Sequence, residues 1–207
     1  MIPPEPGNPV HVLNIGTGDA RLEGMLLDRG YDTYVLDPSP TIVEFARDKY
    51  GLDETRARCG WSQDIPFEDS LFDCVVMTEV VEYLDRNTMY QTFENVLRVM
   101  KTGGYFIGTV PENEDLDLER MRCQKCGEVS HRVGHEQSFT VRSLKLELEK
   151  YFATVRVYSF RGMYMNRKGI FYHHWIDLPF KPVRLFRPDI RVPHQIVFNL
   201  FFKARKT

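Results

Sequence analysis

Val10-His11-Val12-Leu13-Asn14-Ile15-Gly16-Thr17-Gly18-Asp19-Ala20 is the stretch from which the rest of the chain is read. A short, mostly apolar run ending in two glycines predicts a buried strand of a parallel sheet followed by a tight turn. Leu22, Met25 and Leu26 then recur at helical spacing, Asp19 offers an acid at the helix start, and Gly30 stands where a C-cap glycine belongs. Thr33-Tyr34-Val35-Leu36 reads as a second strand. It stops at Asp37-Pro38-Ser39-Pro40, where Ser39 can cap a helix running from about Thr41 to Tyr50.

The same alternation continues outward. Residues 56–59 and 72–77 read as strands, and Asp85 as the cap of a helix with Met89, Phe93, Val96, Leu97 and Met100 on one face. That helix is expected to end at Gly103-Gly104, before a fifth strand at 105–110. A helix over 141–151 and two closing strands, 154–160 and 195–202, complete the pattern. The expected architecture is α/β: a doubly wound, mostly parallel seven-stranded sheet covered on both faces.

At 207 residues the chain suits one domain spanning 1–207, with insertions at 112–137 and 161–193. A composition of 43% hydrophobic and 27% charged residues is that of a globular protein and excludes disorder as the main state. No apolar run approaches about 18 residues, and the first residues lack a basic and apolar leader, so the expected compartment is the cytoplasm. Residues 1–155 hold 16 basic and 27 acidic side chains, whereas residues 156–207 hold 11 basic and 2 acidic. In the 161–193 segment Tyr164, Phe171 and Trp175 alternate with Arg167, Lys168 and Arg184. Such a stretch could line a pocket for a bulky or anionic acceptor, meet a membrane surface or RNA, or pair with the acidic body. A sequence pI near 6.3 argues against a large nucleic-acid footprint, and no DNA partner is expected.

The glycine turn carries chemistry. Free N–H groups at a helix start and absent side chains let a ligand approach the backbone. Gly18 and Asp37 are 19 residues apart, the spacing at which an acid ending the next strand takes ribose hydroxyls. The third glycine of a dinucleotide fingerprint is Arg21 here, which disfavours NAD. Further on, Cys123 and Cys126 followed by His131 and His135 give C-x2-C-x4-H-x3-H, two thiolates and two imidazoles that could close around a structural zinc. Free thiols on a loop are the alternative reading.

Residues 12–20 and 34–40 resemble the first two motifs of the class I S-adenosylmethionine-dependent methyltransferases. Ile65-Pro66-Phe67-Glu68-Asp69-Ser70-Leu71-Phe72-Asp73, Thr78-Glu79-Val80-Val81-Glu82-Tyr83-Leu84 and Val99-Met100-Lys101-Thr102-Gly103-Gly104 are similar to three further motifs of that family. The resemblance runs from about Val10 to Tyr151 and implies the seven-stranded fold with an antiparallel last strand. It implies that Gly16 and Gly18 border the methionine part of S-adenosylmethionine, with Asn14, Thr17 and Thr78 in the same site. Asp37 would bind the ribose, and Pro38 and Ser39 would lie along the adenosine. Where the family often has an acid for the adenine stands Trp61, so either Trp61 and Ser62, or Asp64, would serve. Glu79 would contact cofactor or acceptor, and Glu82 would cap the following loop or helix. In some members the two acids and a histidine at the Tyr83 position hold a divalent cation, and Tyr83 removes that nitrogen. Cys123 to Thr140 also resembles an insertion in a subset of the family.

The function so implied is methyl transfer to an O or N atom of a small molecule, such as a sugar, lipid-linked or natural-product intermediate. Because much of the catalysis at a sulfonium is positioning, no dedicated catalytic residue is expected. The competing expectation is a non-catalytic protein on the same scaffold that docks a partner, a membrane or RNA through its basic aromatic insertion.

Overall fold

The computed structural model describes residues 7–163 and 196–207. The aromatic and basic stretch expected to shape an acceptor pocket, 161–193, lies almost wholly outside the described residues. Seven strands form one sheet in the order β3-β2-β1-β4-β5-β9-β8. They are β1 (His11–Ile15), β2 (Asp32–Asp37), β3 (Ala57–Cys59), β4 (Phe72–Thr78), β5 (Met100–Pro111), β8 (Thr154–Met163) and β9 (Ile196–Arg205). β1 to β5 run parallel, and β9 is antiparallel to both β5 and β8, as expected for the last strand.

The apolar runs are fully buried because helices cover both faces. Leu13 and Ile15 of β1 and Val75 and Met77 of β4 face one side. There they meet Met89, Phe93 and Val96 of α3 (Arg86–Val99) and Leu144 and Leu148 of α4 (Val141–Leu148). The intervening Val12, Cys74 and Val76 meet Leu26 of α1 (Arg21–Leu27) on the other side. Val35 of β2 packs there against Val43 and Ala46 of α2 (Pro40–Tyr50). Asp85 caps α3 as expected, its carboxylate accepting from the N–H groups of Asn87 and Thr88.

Several boundaries shift from the sequence expectation, α1 having Asp28 and not Gly30 as its C-cap and α4 ending at Leu148, and one shift changes an element. α3 ends at Val99, and Gly103-Gly104 belongs to β5 instead of closing the helix. Phe72 pairs with Met100 and Cys74 with Tyr105, so the stretch between Met100 and Tyr105 bulges out of the ladder. A Cβ on Gly104 would lie 2.9 Å from the Lys101 carbonyl oxygen and 3.1 Å from that of Asp73, so the bulge admits only glycine there.

After β5 the chain forms a separate two-stranded hairpin, β6 (Arg120–Arg122) and β7 (Val129–His131). Glu112 bridges to Phe139, and Asn113 N–H donates to the Phe139 carbonyl, which closes the base of this excursion.

Candidate cofactor and acceptor site

The carboxyl ends of β1, β2 and β4 meet at one edge, where parallel α/β sheets bind ligands. Gly16, at φ +82, ends β1 by donating its N–H to the Leu36 carbonyl at 2.9 Å. Asp37 is nearly buried and spans the turn: Thr17 N–H donates to Oδ2 and Ser39 N–H to Oδ1, each at 2.9 Å. Each oxygen keeps a lone-pair site for a further donor. Ser39 is the N-cap of α2, but its side chain makes no cap bond. Its main-chain N–H, and not its hydroxyl, organises the site.

Asn14 is buried and donates from Nδ2 to Glu23 Oε1 at 2.7 Å. An acid thus reaches the end of β1 from α1 through Glu23, a residue the sequence did not single out. Burial first, against the Asn14 hydrogen bond, pushes the Glu23 carboxyl above its usual range. Asn14 Oδ1, Thr17 Oγ1 and Glu23 Oε2 are buried without a hydrogen-bond partner among the described residues. Orphaned acceptor oxygens beside an open turn suit the ammonium of a methionine moiety, so these residues fit S-adenosylmethionine. Nothing lies within 4 Å of a Cβ built on Gly18, which leaves room for such a ligand.

After β3, Gly60 N–H donates to the Asp37 carbonyl at 3.1 Å and leads into Trp61, 62% exposed. Ser62 is buried with its hydroxyl 2.8 Å from that of Thr92, so only its backbone is available to a base. Asp64 is exposed and turns back, its N–H donating to the Trp61 carbonyl.

Thr78 is the last residue of β4, and Glu79 swings into the left-handed region at φ 54 while its N–H donates to the Thr109 carbonyl at 2.9 Å. A non-glycine residue held there is strained by about 1 kcal/mol. Asn199 Nδ2 donates to Glu79 Oε1 at 3.4 Å. Loss of solvation pushes the Glu79 carboxyl up, opposed by hydrogen bonding at Thr109 and the charge of His135.

Glu82, fully buried, corrects an expectation: neither of its carboxylate oxygens has a partner among the described residues, so it caps nothing. Its main-chain carbonyl does the joining, accepting from the N–H groups of Glu136 and Gln137. Burial first, then the charges of Glu79 and Glu114, push its carboxyl up to about 9. Tyr83 meets the edge of the His135 ring at 4.6 Å.

The Cys/His quartet is also corrected. The hairpin pairs Arg120 with His131 and Arg122 with Val129, so the Cys123–Cys126 turn sits at its tip and His131 at its base. Strand rise alone then separates them by roughly 7–10 Å. Gly127 N–H does donate to the Cys123 carbonyl at 2.9 Å, as a knuckle would, but both thiols are exposed. His131 and His135 instead meet Glu114, with one candidate ligand atom from each lying within 4.8 Å of the others. Glu114 went unnoticed because nothing in the acidic run Glu112 to Glu119 sets it apart.

A cleft of about 530 Å³, lined among the described residues by Glu112, Asn113, Thr140 and Ser159, opens beside the end of β5. None of the helices in the described residues is long and apolar enough to cross a membrane.

Residues 13–108 match the family described as "Methyltransferase domain". An uncharacterized methyltransferase of Mycobacterium tuberculosis is 30% identical over 123 residues, covering 59% of this chain and 47% of that protein. The chain therefore spans about half the length of the curated relatives it matches. Among solved structures, a SAM-dependent methyltransferase from Archaeoglobus fulgidus aligns with TM-score 0.63 at 14% identity, covering 96% of this chain and 86% of that one. The 1,6-didemethyltoxoflavin-N1-methyltransferase of Burkholderia thailandensis, solved with 1,6-didemethyltoxoflavin and S-adenosylhomocysteine, aligns with TM-score 0.63 at 16% identity, covering 96% and 72%. The architecture is that of the class I methyltransferase fold.

Proposed function

We propose that this chain, which carries a methyltransferase domain on the class I fold, transfers the methyl group of S-adenosylmethionine to an oxygen or nitrogen atom of a small-molecule acceptor. The observation that carries the reading is Asp37, whose two oxygens each take one backbone N–H and keep capacity for the two hydroxyls of a ribose. The cofactor, when bound, supplies a sulfonium-activated methyl group. The chain's part is to hold it. Asp37 fixes the ribose, Asn14, Thr17 and the Gly16–Gly18 turn receive the methionine end, and Trp61 with the Ser62 backbone covers the adenine.

The acceptor enters from the side of Glu79 and the cleft lined by Glu112, Asn113, Thr140 and Ser159. At about 530 Å³ that cleft suits a small molecule. Holding a nucleophile in line at about 3–3.5 Å from the methyl carbon accounts for much of the rate. Acidic side chains on this side can take the proton that an O–H or N–H nucleophile releases, which favours these acceptors. A sugar, lipid-linked or natural-product intermediate fits this description, and four unpaired cysteines suit the cytoplasm.

The test is formation of S-adenosylhomocysteine from labelled S-adenosylmethionine across a panel of hydroxyl- and amine-bearing small molecules. Turnover by the wild type that falls at least about tenfold in Asp37→Ala is expected. Label found only on carbon would contradict the acceptor class, and equal turnover by the variant would contradict the assigned site.

A further inference from the structure

Glu114 stands in the β5–α4 excursion beside the buried Glu82, whose carbonyl accepts from the N–H of Glu136, the residue after His135. No lysine or arginine among the described residues pairs with Glu114. Its ion-pair partners there are two imidazoles: His135 Nδ1 lies 2.5 Å from Oε2 and His131 Nε2 lies 3.6 Å from Oε1. The imidazoles stack with centroids 4.9 Å apart and an interplanar angle of 18°. They are held from behind, since His135 N–H donates to His131 Nδ1 at 3.0 Å and Tyr83 packs on the His135 ring. The His131 side chain is only 6% exposed, and its Nε2, turned toward Glu114, has no hydrogen-bond partner among the described residues.

We propose that Glu114, His131 and His135 form a binding site for one divalent first-row transition-metal cation on the acceptor side of the domain. Two nitrogens and one carboxylate are a donor set for zinc, cobalt, iron or manganese, not for magnesium or calcium, which take oxygen. A positive ion here offsets the Glu114 carboxylate, whose ion-pair partners among the described residues are imidazoles alone. Three protein ligands leave positions open, as in catalytic and not structural sites. The two cysteines take no part, because the hairpin holds them at its far end. Binding has one structural consequence. A neutral imidazole has a single lone pair, so His131 cannot ligate through Nε2 while Nδ1 accepts the His135 N–H. The ring proton moves to Nδ1 and that contact opens.

The experiment uses the full chain freed of metal with a chelator and titrated with Co2+, read by visible absorption and calorimetry, without S-adenosylmethionine, so that its outcome is separate from the methyl-transfer reading. One Co2+ per chain is expected, with ligand-field bands and no thiolate charge-transfer band. Glu114→Gln, which keeps the side-chain shape, and His135→Ala should each weaken binding at least about tenfold. The double variant Cys123→Ser/Cys126→Ser should match the wild type within about twofold. Should the ligand variants misfold, the wild-type protein still decides the matter: Zn2+ must displace the His135 backbone amide resonance at one equivalent. Absent saturable binding, a thiolate band abolished by the cysteine variant, or a folded Glu114→Gln that binds as the wild type does would overturn the proposal.

Discussion

Gly16 packs face to face with Val80: a Cβ added to Gly16 would stand 2.4 Å from Val80 Cγ2. The contact joins the end of β1 to the turn after β4, the two segments that border the proposed cofactor site. Gly16→Ala therefore meets both a clash and a φ of +82, and is expected to cost about 2–4 kcal/mol and abolish cofactor binding. Gly18→Ala, with φ +57 and open space, should cost about 1–2 kcal/mol. Denaturant unfolding of both variants checks the order, and Val80→Ala should restore part of the loss in Gly16→Ala only.

Glu82 makes stability depend on pH. Its folded pKa, about 9, lies above the ordinary value of 4.5, so between those limits the folded chain binds a proton that the unfolded chain has released. Stability contributed by this group is thus full below pH 4.5 and falls as pH rises toward 9, by at most roughly 1.4 kcal/mol per pH unit. In chelator-treated protein, Glu82→Gln should flatten the decline in melting temperature between pH 6 and pH 8.5. An unchanged slope would show that Glu82 is not the group responsible.

The four thiols should separate by reactivity. Cys123 is exposed, and N–H groups of Cys126 and Lys125 hold its pKa below the usual thiol range. Cys74 is buried, and burial pushes its thiol up to about 12. Alkylation at neutral pH followed by mass spectrometry should label Cys123 readily and Cys74 only after unfolding. Early labelling of Cys74 in folded protein would contradict the packing of β4 against α1.

Much of this was legible in the sequence, and the exceptions share a cause. Periodicity and glycine turns locate the strands because burial on both faces leaves an apolar run, as at Val12 to Ile15. Asp37 was legible as the acid that ends β2 because its position depends on local order: strand end, turn and helix start. Gly103-Gly104 misled because a bulge and a helix end ask the same of a glycine. Spacing grouped Cys123, Cys126, His131 and His135 because it is blind to the hairpin that parts them. Glu23 and Glu114 were invisible for the complementary reason, since their partners Asn14 and His135 meet them only in the folded chain.

Methyl transfer as proposed requires that S-adenosylmethionine bind at the Gly16–Gly18 turn with its ribose on Asp37. The most direct measurement is calorimetric titration of S-adenosylhomocysteine into wild type and Asp37→Ala in one buffer. Micromolar, one-to-one binding by wild type is expected, with a loss of at least about 1.5 kcal/mol in the variant, more than tenfold in Kd. Absence of binding by folded wild type, or equal affinity in the two proteins, would contradict it.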